Sequence, residues 1–160
     1  MVIRVSLSGY KLIFMNTGTV EILLVEDDVH DAELTIRELK KYNMANNLVH
    51  VKDGEEALNF IFSESQLPEV GTSSPIKLIL LDIQMPKVNG IEVLEKLKSD
   101  GRTKSIPILI LTSSKENPDI EKCYGLGVNS YIVKPVNFEK FAQAIKVLGF
   151  YWLLLNQPPI

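Results

Sequence analysis

The chain holds one cysteine, two histidines and one tryptophan in 160 residues, and each scarcity closes off a class of protein. A lone Cys123 cannot form an internal disulfide, and among ordinary helical residues it reads as a small core or surface thiol. A reducing cytoplasm fits that usage. The imidazoles His30 and His50 lie away from the acidic strand ends described below, so surface or edge roles are expected for both. No apolar run approaches the length that crosses a bilayer. The first candidate, "MVIRVSLSGYKLIFMNTGT", is interrupted by Ser8, Gly9, Tyr10 and Lys11, which also argues against a signal peptide. Net charge is only -3, with the signs interspersed, so nucleic acid is not an expected ligand. Lys40 with Lys41, and Arg102 with Lys104, read as solvated helix ends.

What remains is an ordinary soluble composition, 46% hydrophobic and 23% charged. A single domain of this length buries roughly two thirds of its unfolded surface. Five short apolar segments stand out: "VEILLVE" at 20–26, "NLVHV" at 47–51, "KLILLD" at 77–82, "PILILTSS" at 107–114 and "SYIVKP" at 130–135. Continuous Leu, Ile and Val runs, rather than alternation, are what strands covered on both faces of a parallel sheet require. The second segment reads as an edge strand. Helical periods intervene, with apolar stripes at Val29, Ala32, Ile36 and Leu39 and at Phe138, Phe141, Ile145 and Leu148. Further helices are expected over 54–62 and 90–99, with Asn117 and Asn137 as caps and Pro118 in a first turn. The repeated β, α alternation predicts an open three-layer α/β sheet wound in both directions. Residues 63–75 form one polar insertion. Residues 1–18 read as an arm, loose or added from an upstream start, residues 19–149 as the domain, and residues 150–160 as an aromatic tail.

In such sheets ligands bind beyond the carboxyl ends of the strands, where the winding reverses. Asp82 closes "KLILLD", and Glu26 and Asp27 close "ILLVEDD", with Asp28 directly after them. With the first and third strands as neighbours, these carboxylates converge, and like charges that close force protonation unless a cation joins them. Oxygen donors without His or Cys favour a hard ion such as Mg²⁺. Thr112 and Lys134 end two more strands and bring a hydroxyl and an ammonium to the same rim. The set suits phosphoryl transfer, with a carboxylate oxygen of Asp82 as acceptor, cations balancing charge and a hydroxyl bonding a phosphoryl oxygen. Taken singly, Asp27 or Asp28 is equally well read as a solvated strand end or a helix cap.

These residues and their spacing, 30 positions from Asp82 to Thr112 and 22 more to Lys134, resemble the receiver domains of two-component response regulators over residues 20–149. The resemblance implies a flavodoxin-like (βα)5 fold of strand order 2-1-3-4-5. It implies Asp82 as phosphoacceptor, Thr112 as switch hydroxyl, Tyr131 as switch aromatic and Lys134 as the essential lysine. Mg²⁺ would be held by Asp27, Asp82 and the main-chain carbonyl of Gln84, and through water by Glu26. Glu26 departs from the family's more usual Asp by one methylene. "MPKVNG" is similar to the family's loop after the acceptor, shaped by Pro86 and Gly90. Lys134 and Pro135 match the pair joined by a cis bond, and Gln84 and Ser114 stand where relatives tune the lifetime of the acyl phosphate. The polar insertion and the tail resemble most the small regulators of bacteriophytochrome histidine kinases.

The resemblance therefore implies a single-domain switch, not an enzyme, that takes a phosphoryl group from a histidine kinase, catalyses its own transfer and slow hydrolysis, and signals by protein contact. Only about a dozen residues follow the last helical period, so no output domain is expected. The three aromatics and three leucines of "FYWLLLNQPPI" suggest a homodimer through this region in preference to backfolding. Two other readings stay open. A Mg²⁺-dependent phosphohydrolase with an Asp nucleophile shares the strand-end acid, but would place a second acid where Gln84 stands. A receiver-shaped adaptor without phosphorylation is the other. A dinucleotide site would need a G-x-G-x-x-G turn, which the chain lacks.

Overall fold

Six parallel strands form one sheet in the computed structural model, which describes residues 2–4, 21–42, 45, 47–63, 75–141 and 143. In chain order the elements are β1 (Val2–Arg4), β2 (Ile22–Val25), α1 (Val29–Lys41), β3 (Leu48–Val51), α2 (Gly54–Ile61), β4 (Leu78–Leu81), α3 (Gly90–Ser99), β5 (Ile108–Thr112), α4 (Asn117–Gly125) and β6 (Ser130–Val133). Residues 138–141 are helical. The sheet order is β1-β3-β2-β4-β5-β6. Without the short first strand this is the expected 2-1-3-4-5 order, and the winding reverses at β2, between β3 and β4.

The continuous apolar runs work because alternate residues serve opposite faces. Leu23, Val25, Ile79, Leu81, Ile108 and Ile110 pack under α2, α3 and α4 with Ala57, Val93, Leu97 and Cys123. Ile22, Leu24, Leu78, Leu80, Leu109 and Leu111 pack under α1 with Ala32, Ile36, Leu39 and Phe141. Val29 does not join them. It is the first residue of α1, at the rim of the sheet, and is 45% exposed.

β3 is not an edge. Val2–Arg4 pairs along its outer side in the register Val2↔Leu48 to Arg4↔His50, and all four β3 residues are buried. The covering segment is distant in sequence, so no local pattern in "LVHV" could announce it. Helix starts follow the cap chemistry: Asp53 accepts from Glu56 N, and Asn89 forms a capping box with Glu92. Asn137 caps residues 138–141, its side chain accepting from Lys140 N at 3.0 Å. Asn117 is instead the first helical residue of α4, with Glu116 at the cap and Pro118 in the first turn. A proline suits either of the first two helical positions, so the sequence left that boundary open by one residue. Ile145, Leu148, most of the polar insertion, most of the 1–18 arm and the 150–160 tail lie outside the described residues.

The loop from β4 to α3 is held close by Gly90. A Cβ there would meet the carbonyl oxygen of Asp82 and would lie 2.6 Å from Ile83 Cα, while Gly90 N donates to Ile83 O at 3.1 Å. Both obstacles are backbone and cannot swing aside. Gly90→Ala is expected to destabilise the protein by roughly 1–3 kcal/mol, the usual cost of forcing an extra carbon into a packed site. Gly101→Ala is the control, with nothing within 4 Å of the added carbon, and should shift stability by less than about 0.5 kcal/mol. Urea midpoints at unchanged slope measure both.

Candidate functional site

β2 and β4 pair in register, Val25 opposite Leu81, so the next residues, Glu26 and Asp82, leave the sheet side by side. Their backbones are pinned: Asp82 N donates to Val25 O at 3.0 Å and Glu26 N to Val51 O at 3.1 Å. One carboxylate oxygen from each of Glu26, Asp27 and Asp82 lies within 4.8 Å of the others. Glu26 is 3% exposed and Asp82 6%, while Asp27 is more open to solvent. Asp82 Oδ1 accepts from Gln84 N at 2.9 Å and Glu26 Oε1 from Asp28 N at 3.0 Å. Asp28 itself turns away as the N-cap of α1, accepting from His30 N and Asp31 N. The N–H of Asp31, and then that of His30, hold its carboxyl below the usual value. For Asp28 the helix-cap reading is therefore the right one.

Lys134 reaches the acids from the end of β6, its main chain anchored by Lys134 N donating to Thr112 O at 2.8 Å. Its Nζ donates to Glu26 Oε2 at 2.7 Å, Asp31 Oδ2 at 2.8 Å and Asp82 Oδ2 at 3.3 Å. The Lys134–Pro135 peptide bond is cis. Thr112 is fully buried, and its Oγ1 accepts from Ser114 N at 3.3 Å. Tyr131 OH donates to Ser114 O at 3.1 Å, and Ser114 Oγ donates to Asp119 Oδ2 at 2.6 Å. One residue of the β5–α4 loop thus touches both the buried hydroxyl and the aromatic side chain.

The electrostatics are unbalanced. Burial pushes the Glu26 carboxyl up from 4.5 to about 7; the hydrogen bond from Lys134 opposes the rise and the charge of Asp82 adds to it. Burial alone would lower the Lys134 ammonium, but its bonds to Asp31 and Glu26 and the charges of Asp82 and Glu26 outweigh burial and raise it. Two buried carboxylates with one shared ammonium leave a deficit of positive charge. An all-oxygen donor set with such a deficit fits a hard divalent cation of the Mg²⁺ kind.

Glu26, Asp27, Asp82 and Lys134 therefore come together as the sequence pattern expects, with Thr112 and Tyr131 joined through Ser114. Three further residues were not foreseen. Asp31 lies in the first turn of α1, three positions after the cap Asp28, and an acid in a first helical turn was the only local signal. His50, expected at a surface or edge, is 2% exposed. Its Nε2 lies 2.8 Å from Glu26 O, an atom that only accepts, so the ring nitrogen is the donor. β1 buries it by covering the β3 edge. Asp119 had no local signal beyond its place in the first turn of α4.

A raised carboxyl pKa gives a definite sign to stability. Between the unfolded value of 4.5 and about 7, the folded state binds more protons than the unfolded state, so stability falls as pH rises through that window. The cation-free protein should lose stability from pH 4.5 to pH 7 through this group, and Glu26→Gln should flatten that part of the curve. Chemical denaturation in chelator at stepped pH reads the slope.

The family model of the response regulator receiver domain matches residues 22–146. Among curated proteins the chain is 36% identical over 138 residues to the probable methanogenesis regulatory protein FilR2 of Methanothrix harundinacea, covering 86% of each. It is 35% identical to the response regulator Rcp1 of Synechocystis, covering 82% of this chain and 88% of Rcp1. Among solved structures it is similar to the bacteriophytochrome response regulator RtBRR, at 45% identity and a TM-score of 0.67 over 87% of this chain and 83% of that one. The Mn²⁺-bound form of Rcp1 superimposes with a TM-score of 0.66 at 34% identity over 87% of this chain and 98% of that one. With the strand order, the acid cluster and the lysine already in place, these matches make the chain a member of the response regulator receiver domain family.

Proposed function

We propose that Asp82 is the phosphoacceptor of this receiver and that a histidine kinase is the donor. The observation that carries the reading is the contact of Lys134 Nζ with Asp82 and Glu26 inside a cluster of three acids. A carboxylate oxygen of Asp82 attacks phosphorus, the bond from phosphorus to the donor imidazole nitrogen breaks, and that nitrogen keeps the electron pair and picks up a proton. Asp27, Asp82 and the main-chain carbonyl of Gln84, with Glu26 through water, would hold Mg²⁺. The ion would offset charge on the phosphoryl oxygens. Lys134 supplies a second positive charge from the end of β6.

Transfer adds roughly two negative charges beside a neutral hydroxyl. Thr112 then turns its O–H toward a phosphoryl oxygen and gives up the bond from Ser114 N. Because Ser114 also holds Tyr131 through its carbonyl, release of one end of the loop frees the other. Changing the shape of the surface formed by α4, β6 and residues 138–141 is the output. The same acids catalyse transfer and later hydrolysis on this chain only, so the protein acts as a switch and not as an enzyme turning over a separate substrate.

Likeness to the bacteriophytochrome response regulator RtBRR favours a bacteriophytochrome-type kinase as the partner. The aromatic tail favours a homodimer formed through the last helix, the last strand or the tail. The even charge balance favours protein partners over nucleic acid, and the cysteine usage favours the cytoplasm. Among the described residues no helix is long and apolar enough to cross a membrane.

Incubation with Mg²⁺ and a small acyl phosphate should add one phosphoryl group per chain by intact mass, and Asp82→Asn should abolish the adduct. Labelling that persists in Asp82→Asn would move the acceptor elsewhere, and catalytic turnover of phosphate esters would favour a hydrolase. Mass in solution, with and without the phosphodonor and with residues 150–160 removed, tests the dimer. The expected result is a dimer for the full chain and a monomer for the truncated one.

A further inference from the structure

Three carboxylates share the Lys134 ammonium, yet only two of them, Glu26 and Asp82, belong to the cluster that fits a divalent cation. The third is Asp31, on the first turn of α1. Its side chain is 43% exposed, against 3% for Glu26 and 7% for Asp82. It nevertheless lies closer to the ammonium than Asp82 does, at 2.8 Å against 3.3 Å. Its own N–H donates to Asp28 Oδ1 at 2.9 Å, so the cap that starts the helix also fixes the backbone presenting this carboxylate.

A cation among the acids competes with Lys134 for the oxygens of Glu26 and Asp82, and it repels the ammonium directly. Asp31 is the one of the three acceptors that this competition leaves alone. Because it keeps part of its hydration, it adds a negative charge for Lys134 without deepening the crowding around Asp82. Resting on the receiver reading above, we infer that Asp31 is a positioning residue that holds Lys134 beside Asp82 when a cation occupies the acids. Ammonium and cation then serve one phosphoryl group together, and neither drives the other out.

An ordinary surface ion pair would contribute little and would act independently of Lys134's role in transfer. The two cases separate in a mutant cycle. With saturating Mg²⁺ and a small acyl phosphate, Asp31→Ala and the isosteric Asp31→Asn should slow labelling roughly tenfold, the scale on which losing an outer partner of a site group reduces activity. Asp31→Glu should restore most of the rate. Against a Lys134→Ala background, Asp31→Ala should cause no further slowing, because it acts only through that ammonium. The reactivity of Lys134 toward an amine-acylating reagent, mapped by peptide mass, should rise in Asp31→Ala and return in Asp31→Glu, and the rise should be larger with Mg²⁺ present than in cation-free protein. Labelling of Asp31→Ala at the wild-type rate, or equal slowing with and without Lys134, would overturn the assignment. A wild-type chain that takes no label would overturn the receiver reading itself, an outcome that the wild-type control separates from a failure confined to Asp31.

Discussion

Two carboxylates buried at the ends of adjacent strands repel each other, and the relief of that repulsion organises the functional end of this molecule. Glu26 and Asp82 have no freedom to move apart, because β2 and β4 pair in register up to the residue before each. The repulsion must be met by charge brought from elsewhere. Lys134 brings part of it across β5 from the end of β6, yet burial first, and the charge of Asp82 after it, still drive the Glu26 carboxyl up to about 7. A site left short of positive charge is one that a cation and then a phosphoryl group can enter. The instability is local, and the apolar faces of the same strands supply the packing that tolerates it.

This division of labour explains why so much was legible in the sequence. Strands covered on both faces must be apolar throughout, so an acid at the end of "KLILL" or "ILLV" has no packing role and stands out. The same logic exposes Thr112 after "ILIL". The order of strands is not written locally, and neither is the contact between Lys134 and residues more than a hundred positions earlier. The order came from the resemblance, which carries the topology along with the motif; the strand ends alone had set Lys134 on the same rim as the acids, and its contact with Asp31 was not foreseen.

What stayed illegible has a common cause. Asp31, His50 and the covered edge of β3 all depend on which element lies beside which. Asp28 and Asp27 look alike in "VEDD", and only the backbone geometry at the start of α1 makes one a cap and leaves the other to the cluster. His50 reads as an edge residue until β1 is seen to pair with β3, after which a buried ring needs a partner and finds the main-chain oxygen of Glu26. The boundary of α4 shifted by one residue because Asn and Pro are tolerated at neighbouring cap positions.

Converting a switch from nearly all off to nearly all on takes about 5.5 kcal/mol of differential stabilisation. No single hydrogen bond in this site supplies that, since bonds to charged groups contribute about 1.5–3 kcal/mol each. Several must change together, and the connections here allow it. Thr112 and Tyr131 both bond to Ser114, and Ser114 bonds to Asp119 on α4. A new charge at Asp82 that recruits the Thr112 hydroxyl therefore disturbs one shared residue rather than three separate contacts. On the proposed reading, the Ser114 loop is where a charge at Asp82 would be passed to the surface, because its three contacts lie on one residue.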